Sequence, residues 1–167
     1  FFFAPEIKKI PERFTELTGR MPLPPKWAMG NQQCRYSYYP ASRVMEVADR
    51  FRQRDIPADV LYLDIHYMDG YKVFTWNKER FPDPKKLVSE LHARGFKVIS
   101  IIDPGVKADT SYKVYREGIA KDFFCKYGTG EVYFGRVWPG ICAFPDFTKD
   151  EARSWWGDLH AELVQVG

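Results

Sequence analysis

Two aspartates directly follow short apolar runs that are typical of buried strands. Asp64 comes after residues 60–63 (VLYL), and Asp103 comes after residues 98–102 (VISII). A carboxylate at the end of a buried strand costs free energy unless it is paired, hydrated or placed in a cleft. A turn or capping role is the structural alternative for both, and the Pro-Gly pair after Asp103 favours it there. No turn signal follows Asp64, which is therefore the better candidate for a functional carboxylate.

A metal-dependent hydrolase is one chemistry that this region could support. Asp64 and His66 are two positions apart, so on an extended strand they face the same side. Together with Asp69 they could bind a metal ion that activates water. The chain has only three histidines, however, and the other two, His92 and His160, fall on predicted helices. A single histidine at a strand end is more often a hydrogen-bonded structural residue, so we expect no metal and no other cofactor.

Aromatic side chains near these positions could bind a flat ligand face. Trp138 precedes a Pro-Gly pair and is predicted to lie on a bent loop, and Tyr36 lies just beyond a predicted first strand. Such aromatic faces suit sugar rings, which are apolar on one face and polar at the edge. The alternative for Trp138 is packing back onto the core. Trp155 and Trp156 lie on a predicted helix and are assigned to packing.

Periodicity and turn signals predict the elements that position these side chains. Predicted strands cover residues 27–30, 60–63 and 98–102. Predicted helices cover residues 42–51, residues 84–94 behind an Asp83-Pro84 start signal, and residues 112–123. A last helix is predicted to begin at a Thr148–Glu151 capping box and to turn four side chains inward: Trp155, Trp156, Leu159 and Leu163.

The spacing of the predicted strands indicates an α/β protein with repeated βα units. Strand starts near positions 27, 60 and 98 are 33 and 38 residues apart, which suits βα units of about 30 residues or more. Continuously apolar strands are covered on both faces, which indicates a parallel sheet. The candidates are an open doubly wound sheet or part of a βα barrel, because an eight-stranded barrel typically needs about 250 residues.

Composition excludes several other classes of protein. The net charge is only +3, with 25 Lys and Arg against 22 Asp and Glu, and no basic stripe predicts a nucleic-acid partner. No apolar run approaches the roughly 18 residues of a membrane span. Three scattered cysteines, Cys34, Cys125 and Cys142, give little support to a disulfide framework or a zinc-thiolate site. The start Phe1-Phe2-Phe3, without Met, is typical of an excised piece, so no compartment is assigned.

Several short segments, taken in order, resemble the first part of the catalytic domain of glycoside hydrolase family 31, the α-glucosidase family. The resemblance extends from about residue 3 to residue 167. Its motifs are LTGRMPLPPKWAMG (17–30), QCRY (33–36), DIHYMD (64–69), FPDP (81–84), DPG (103–105), VWPG (137–140) and FPDFT (144–148). The resemblance implies a partial (β/α)8 TIM barrel that holds about strands one to three, with their helices. Residues 1–167 would be part of one catalytic domain, with a lead-in over 1–25 and a loop-rich insertion after strand three over 124–149.

The same resemblance implies a substrate-binding site. Asp64 matches the aspartate that grips the sugar in the first subsite, a role suited to an ionised carboxylate because it only accepts hydrogen bonds. His66 stands where many members carry a second aspartate. The other matched positions are three pocket-wall residues and one first-strand aromatic residue: Ile65, Ile101, Trp138 and Tyr36.

The activity implied by the resemblance is retaining hydrolysis of terminal, non-reducing α-linked glucose from oligosaccharides. The family's nucleophile follows strand four and its acid/base lies further on, so both are expected beyond Gly167 and the segment alone is expected to be inactive. Its unpaired strand edges are expected to promote self-association. The alternatives are an α-xylosidase, α-galactosidase, lyase or transglycosylase of the same family, a non-catalytic sugar-binding or scaffold relative, and the metal-dependent hydrolase.

Overall fold

A computed structural model describes residues 2–165, so the predicted outer bounds of the domain, Phe1 and Gly167, lie outside the described residues. The α-helices of this range are α1 (Lys9–Thr18), α2 (Ala41–Gln53), α3 (Pro84–Ala93), α4 (Lys113–Ala120) and α5 (Asp150–Val164). The strands are β1 (Gln32–Gln33), β2 (Val60–Leu63), β3 (Lys97–Ser100), β4 (Val106–Lys107), β5 (Phe134–Val137) and β6 (Gly140–Ala143).

The first sheet contains β1, β2 and β3 in that spatial order, and all of its strands are parallel. The register pairs Gln33 with Leu61 and Leu63 with Ser100, so the carboxyl ends of the strands meet at one edge. Helix α2 connects β1 to β2, and α3 connects β2 to β3. The central strand β2 is almost entirely buried, as expected for a strand covered on both faces. Within residues 2–165 these three strands form an open α/β sheet rather than a closed barrel.

The connecting helices form where local signals predict them. Helix α2 buries Val44, Val47 and Ala48 on one face, which matches its apolar periodicity. Helix α3 begins after Asp83, whose side chain accepts a hydrogen bond from the Lys86 backbone N–H at 2.9 Å. After α3, Gly95 adopts a φ of +77°, a conformation that glycine reaches without strain. The predicted start and stop of this helix are therefore confirmed.

The predicted first strand over residues 27–30 is wrong. Those residues form a 3₁₀ helix, Lys26–Met29, and the strand is the polar pair Gln32–Gln33. The amide group of Gln32 donates to the Ala28 carbonyl at 2.5 Å, and its oxygen accepts from the Tyr62 hydroxyl at 2.6 Å. Because one local and one non-local bond satisfy the amide, a polar residue can occupy a strand that hydrophobic periodicity does not detect.

The predicted capping box at α5 is also wrong. Thr148 does not cap the helix; its hydroxyl donates to Asp146 Oδ1 at 2.6 Å, and its backbone N–H lies 3.1 Å from the same oxygen. The Asp146 side chain therefore forms a local turn that holds the threonine away from the helix end. Helix α5 begins at Asp150, and its Trp155 is buried while Trp156 and Leu159 pack against the core.

The segment after β3 forms a second, antiparallel sheet in the order β4-β6-β5. Residues 132–140, which show no clear helix or strand pattern, form β5 and its turn into β6, with Trp138 and Pro139 between them. This sheet contacts the loop after β2, because the ammonium group of Lys107 in β4 donates to the Gly70 carbonyl at 3.3 Å. The antiparallel sheet is thus attached to the parallel sheet on the side where β2 ends.

One hydrophobic core joins the two sheets and their helices. It includes Leu61 and Leu63 of β2, Leu91 of α3 and Trp155 of α5. Helix α1, in the lead-in segment, contributes no buried residue. Among residues 2–165 there is no helix of the length and apolar character that crossing a lipid bilayer requires.

Candidate functional site

The carboxyl ends of the three parallel strands bring together residues that are far apart in sequence. Cys34 follows β1, Asp64 follows β2 and Ile101 follows β3. The Ile101 backbone N–H donates to the Leu63 carbonyl at 3.0 Å, which extends the pairing of β2 and β3 to the residue before Asp64. In parallel α/β proteins, ligand sites lie at this edge of the sheet.

The two carboxylate oxygens of Asp64 have different surroundings. Oδ1 accepts a hydrogen bond from the Ile65 backbone N–H at 2.7 Å, so Asp64 caps the short 3₁₀ helix Ile65–Tyr67. Oδ2 lies 3.8 Å from the thiol of Cys34, which is a weak donor. Because Asp64 is half-buried, Oδ2 retains capacity to accept a hydrogen bond from a ligand hydroxyl.

His66 lies two residues further on and has a hydroxyl partner at each ring nitrogen. Nδ1 lies 2.7 Å from Ser37 Oγ, and Nε2 lies 3.3 Å from the Tyr71 hydroxyl. Its ring stacks on Tyr39 at 4.6 Å between centroids, and Tyr36 approaches edge-on at 5.1 Å. This agrees with the expectation that His66 is a hydrogen-bonded structural residue.

The proposed metal ligands Asp64, His66 and Asp69 do not form a ligand set. Asp69 is exposed and its carboxylate lies 3.4 Å from the Lys72 ammonium. No three histidine, cysteine, aspartate or glutamate side chains of residues 2–165 lie together in a way that could hold a metal ion. Both imidazole nitrogens are already engaged, so the geometry gives the metal hypothesis no support.

The aromatic candidates lie on two separate segments. Tyr36 is 64% exposed in the loop after β1. Its ring contacts His66, which lies two residues after Asp64. Trp138 is 63% exposed in the turn between β5 and β6. Both rings are therefore accessible from solvent, and Tyr36 is connected to the end of β2 through its contact with His66.

The two predicted aliphatic wall residues differ in exposure. Ile65 is buried in the hydrophobic core, whereas Ile101 is half-buried and packs against that core. The hydroxyl of Tyr67 donates to the Ile101 carbonyl at 2.9 Å, which ties the 3₁₀ helix to the end of β3. Burial raises the pKa of Tyr67 to about 12, so this donor stays protonated at neutral pH.

Several site residues escape prediction from the sequence. Cys34 could have been found if β1 had been placed at Gln32–Gln33, because it would then directly follow a strand. Ser37, Tyr39 and Tyr71 carry no local signal, since their common contact is His66. The site is thus larger than the set of residues predicted for it.

The chain shares this architecture with known proteins. The family described as "Glycosyl hydrolases family 31 TIM-barrel domain" matches residues 21–167. Alpha-glucosidase 2 of Bacillus thermoamyloliquefaciens is 54% identical over 166 residues, which cover 99% of this chain and 21% of that protein. An alpha-glucosidase of Saccharolobus solfataricus is 44% identical over 164 residues, covering 98% of this chain and 23% of that protein.

A solved structure agrees with both relatives. The family 31 dextranase of Flavobacterium johnsoniae, complexed with glucose, superposes with a TM-score of 0.88 at 35% identity, covering 99% of this chain and 20% of that chain. The chain spans about a fifth of the length of the curated relatives it matches. By sequence and by structure, the chain belongs to glycosyl hydrolase family 31 and carries part of that family's TIM-barrel domain.

Proposed function

We propose that the chain supplies part of the substrate site of a retaining α-glycosidase that hydrolyses terminal, non-reducing α-linked glucose from oligosaccharides. One observation carries this proposal: Asp64 lies at the carboxyl end of β2 with Oδ1 held by the Ile65 N–H and Oδ2 facing only a thiol. An ionised carboxylate fixed in this way accepts hydrogen bonds from sugar hydroxyls. The alpha-glucosidase names of the relatives and the glucose complex of the dextranase support the choice of sugar.

In this proposal the other site residues shape the first subsite around Asp64. The exposed faces of Tyr36 and Trp138 pack against the apolar side of the sugar ring. Ile101 contributes the aliphatic wall, and the buried Ile65 supports Asp64 from behind. These contacts orient the glycosidic bond, and oriented binding lowers the activation barrier because little freedom remains to be lost.

The chemical step of the proposal requires two further carboxylates. Retaining glycosidases hold a nucleophile and an acid/base about 5–5.5 Å apart across an oxocarbenium-like transition state. We assign neither role to Asp64, since a carboxylate that caps a 3₁₀ helix and grips the sugar is already committed to binding. The nucleophile and acid/base are proposed to follow this segment, so residues 1–167 alone bind sugar at most and do not hydrolyse it.

A panel of nitrophenyl α-glycosides tests this proposal. The full-length protein carrying this segment and the isolated segment are each assayed on the α-glucoside, α-xyloside and α-galactoside. Cleavage of the α-glucoside by the full-length protein alone is the expected result. Cleavage of only another glycoside would keep the family and change the substrate. Binding without cleavage by the full-length protein would favour a sugar-binding relative, and turnover by the segment would contradict the placement of the catalytic carboxylates.

A further inference from the structure

His66 occupies an unusual environment for an ionisable side chain. It is only 7% exposed, and its ring contacts residues from two different loops. Ser37 and Tyr39 lie in the loop after β1, whereas Tyr71 lies in the loop after β2. Tyr36, the residue before Ser37, also touches the ring edge-on.

The same residue is rigidly connected to Asp64. His66 is the middle residue of the 3₁₀ helix Ile65–Tyr67, which the Asp64 carboxylate caps and the Tyr67 hydroxyl ties to β3. A displacement of the imidazole would therefore also displace the Asp64 carboxylate, which is only two residues away along the backbone. On its other side the imidazole fixes the loop that carries Tyr36.

We propose that His66 is a positioning residue that holds Tyr36 in place relative to Asp64 and thereby sets the sugar affinity of the first subsite. The effect on affinity rests on the function proposed above, whereas the effect on the loop does not. His66 itself touches Ser37, Tyr71 and the aromatic rings, so it acts through its neighbours rather than on the substrate.

Hydrogen bonding permits this role in the neutral state of the ring. A neutral imidazole has one N–H donor and one acceptor nitrogen, and the hydroxyls of Ser37 and Tyr71 can each donate or accept. Either tautomer therefore satisfies both partners. Phenylalanine at this position would keep the flat stack on Tyr39 and lose both hydrogen bonds, which isolates the polar contribution.

Charge makes the arrangement sensitive to acid. The pKa of His66 is lowered below its ordinary value of 6.5, first by burial and second by the positive charge of Arg80. The negative charge of Asp64 acts in the opposite direction. Arg80 lies over the Tyr39 ring at 4.7 Å and approaches the His66 carbonyl at 3.5 Å. The other groups facing the ring are the neutral hydroxyls of Ser37 and Tyr71 and the rings of Tyr36 and Tyr39. Protonation therefore places a second positive charge beside Arg80 and loosens the loop.

Kinetics of the full-length protein provide the first test. His66→Phe is expected to raise the KM for the nitrophenyl α-glucoside about tenfold, with kcat changed less than about twofold, because two hydrogen bonds are lost from a positioning contact. Ser37→Ala removes one hydroxyl without disturbing the stack and is expected to raise KM about two- to fivefold. His92→Gln, on the exposed face of α3, is the matched control and leaves KM unchanged.

The pH profile separates positioning from general damage. In the wild type, KM is expected to rise as the pH falls through the pKa of His66, which lies below the ordinary value of 6.5, and the ring becomes protonated. In His66→Phe this rise is absent, since no proton is taken up there. A variant with high KM but the same dependence on pH as the wild type would overturn the role of the imidazole charge.

Alkylation of Cys34 gives a second readout that does not require enzymatic activity. Cys34 is exposed, contacts Asp64 and lies two residues before Tyr36 in the loop after β1, so iodoacetamide labelling followed by peptide mass spectrometry reports on the loop. His66→Phe and Ser37→Ala are expected to accelerate Cys34 alkylation about two- to tenfold relative to the less exposed Cys125 on the same chain. Unchanged alkylation in both variants would overturn the proposal, even if the wild type hydrolyses α-glucosides.

Absence of all α-glycoside cleavage by the wild type, with accelerated Cys34 alkylation in the variants, would instead remove the proposed function and keep the positioning role.

Discussion

The thiol of Cys34 lies 3.8 Å from Oδ2 of Asp64, although the two residues are 30 positions apart and follow different strands. Parallel pairing of β1 with β2 creates this contact, because it places the residues after Gln33 and Leu63 at the same edge of the sheet. Burial and the negative charge of Asp64 raise the pKa of the Cys34 thiol. The S–H group therefore persists at neutral pH and can donate to the carboxylate.

Substitution of Cys34 should affect substrate binding more than the chemical step. Cys34→Ala removes the donor to Oδ2 and is expected to raise the KM of the full-length protein about two- to fivefold, since a weak hydrogen bond contributes about 0.5–1 kcal/mol. Cys34→Ser supplies a stronger donor and should keep KM within about twofold of the wild type. Steady-state kinetics on the nitrophenyl α-glucoside measure both values. Equal effects of the two substitutions would contradict a contribution of the Cys34–Asp64 hydrogen bond to substrate binding.

Substitution of Asp64 should be far more severe. Asp64→Asn keeps the shape but loses the charge and replaces one acceptor oxygen by a donor, and Asp64→Ala removes the side chain. Each hydrogen bond to a charged group contributes about 1.5–3 kcal/mol, so kcat/KM of the full-length protein should fall about a hundredfold or more. Asp69→Asn, an exposed aspartate of the same loop, is the control and should retain wild-type kinetics. Near-wild-type kinetics in Asp64→Ala would exclude this carboxylate from the site.

Local signals explain which elements could be predicted from the sequence. Helix α3 has its N-cap Asp83 and its terminating Gly95 within a few residues of its ends, and both act as predicted. Strand β2 is a continuous apolar run, and its burial follows from that. The position of Asp64 at the carboxyl edge of a parallel sheet follows from the same two features.

The unpredicted parts depend on partners that are distant in sequence. The polar strand β1 is accommodated because Tyr62 hydrogen-bonds its Gln32, and β6 pairs with β4 although helix α4 and a long connection separate them. His66 is correctly predicted as a hydrogen-bonded residue, but its partners Ser37 and Tyr71 become apparent only once the loops are folded together. Periodicity describes each element by itself and does not specify which loops will meet.

A pair of glycines in two helices allows a sharp test of core packing. Gly118 in α4 faces Phe124, and a Cβ atom there would lie 2.3–2.9 Å from the phenylalanine ring. Gly118→Ala should therefore destabilise the full-length protein by about 1–3 kcal/mol through overpacking. Gly157 in α5 has no atom within 4 Å of such a Cβ. Gly157→Ala should instead stabilise by up to about 1 kcal/mol, because alanine favours the helix. Denaturant titration measures the change in the free energy of unfolding for each variant. Changes of the same sign in both variants would contradict the packing of α4 on Phe124.

Alkaline pH should destabilise the protein through its buried tyrosines. Burial raises the pKa of Tyr67 to about 12, against an ordinary value of 10, and raises the pKa of Tyr112 as well. The unfolded state loses these protons first, so stability is fully present below pH 10 and falls as the pH rises through the folded value. Tyr67 alone should account for a loss of about 2–3 kcal/mol.

The matching variants isolate this contribution. Tyr67→Phe should be less stable than the wild type at pH 8 by about 1 kcal/mol, because the Ile101 carbonyl loses its donor, yet should lose less stability between pH 10 and pH 12. Tyr127→Phe, at an exposed tyrosine, should follow the wild-type pH dependence. Denaturant midpoints measured from pH 8 to about pH 12 give the change in stability with pH for each variant. If Tyr67→Phe lost stability with rising pH as steeply as the wild type, ionisation of the Tyr67 hydroxyl would not contribute to the alkaline loss of stability.

The isolated 167-residue chain is expected to self-associate. In residues 2–165, β1 and β3 form the outer positions of the parallel sheet and each has a strand neighbour on one side, so their other edges offer backbone donors and acceptors. Sedimentation velocity over a rising concentration series should show a growing oligomer fraction, and a monodisperse monomer at the highest concentration would contradict the expectation. Helix α1 offers a competing route because Phe14 and Leu17 are exposed. Leu17→Lys separates the routes: association through strand edges survives this substitution, whereas association through the apolar face of α1 is weakened by it.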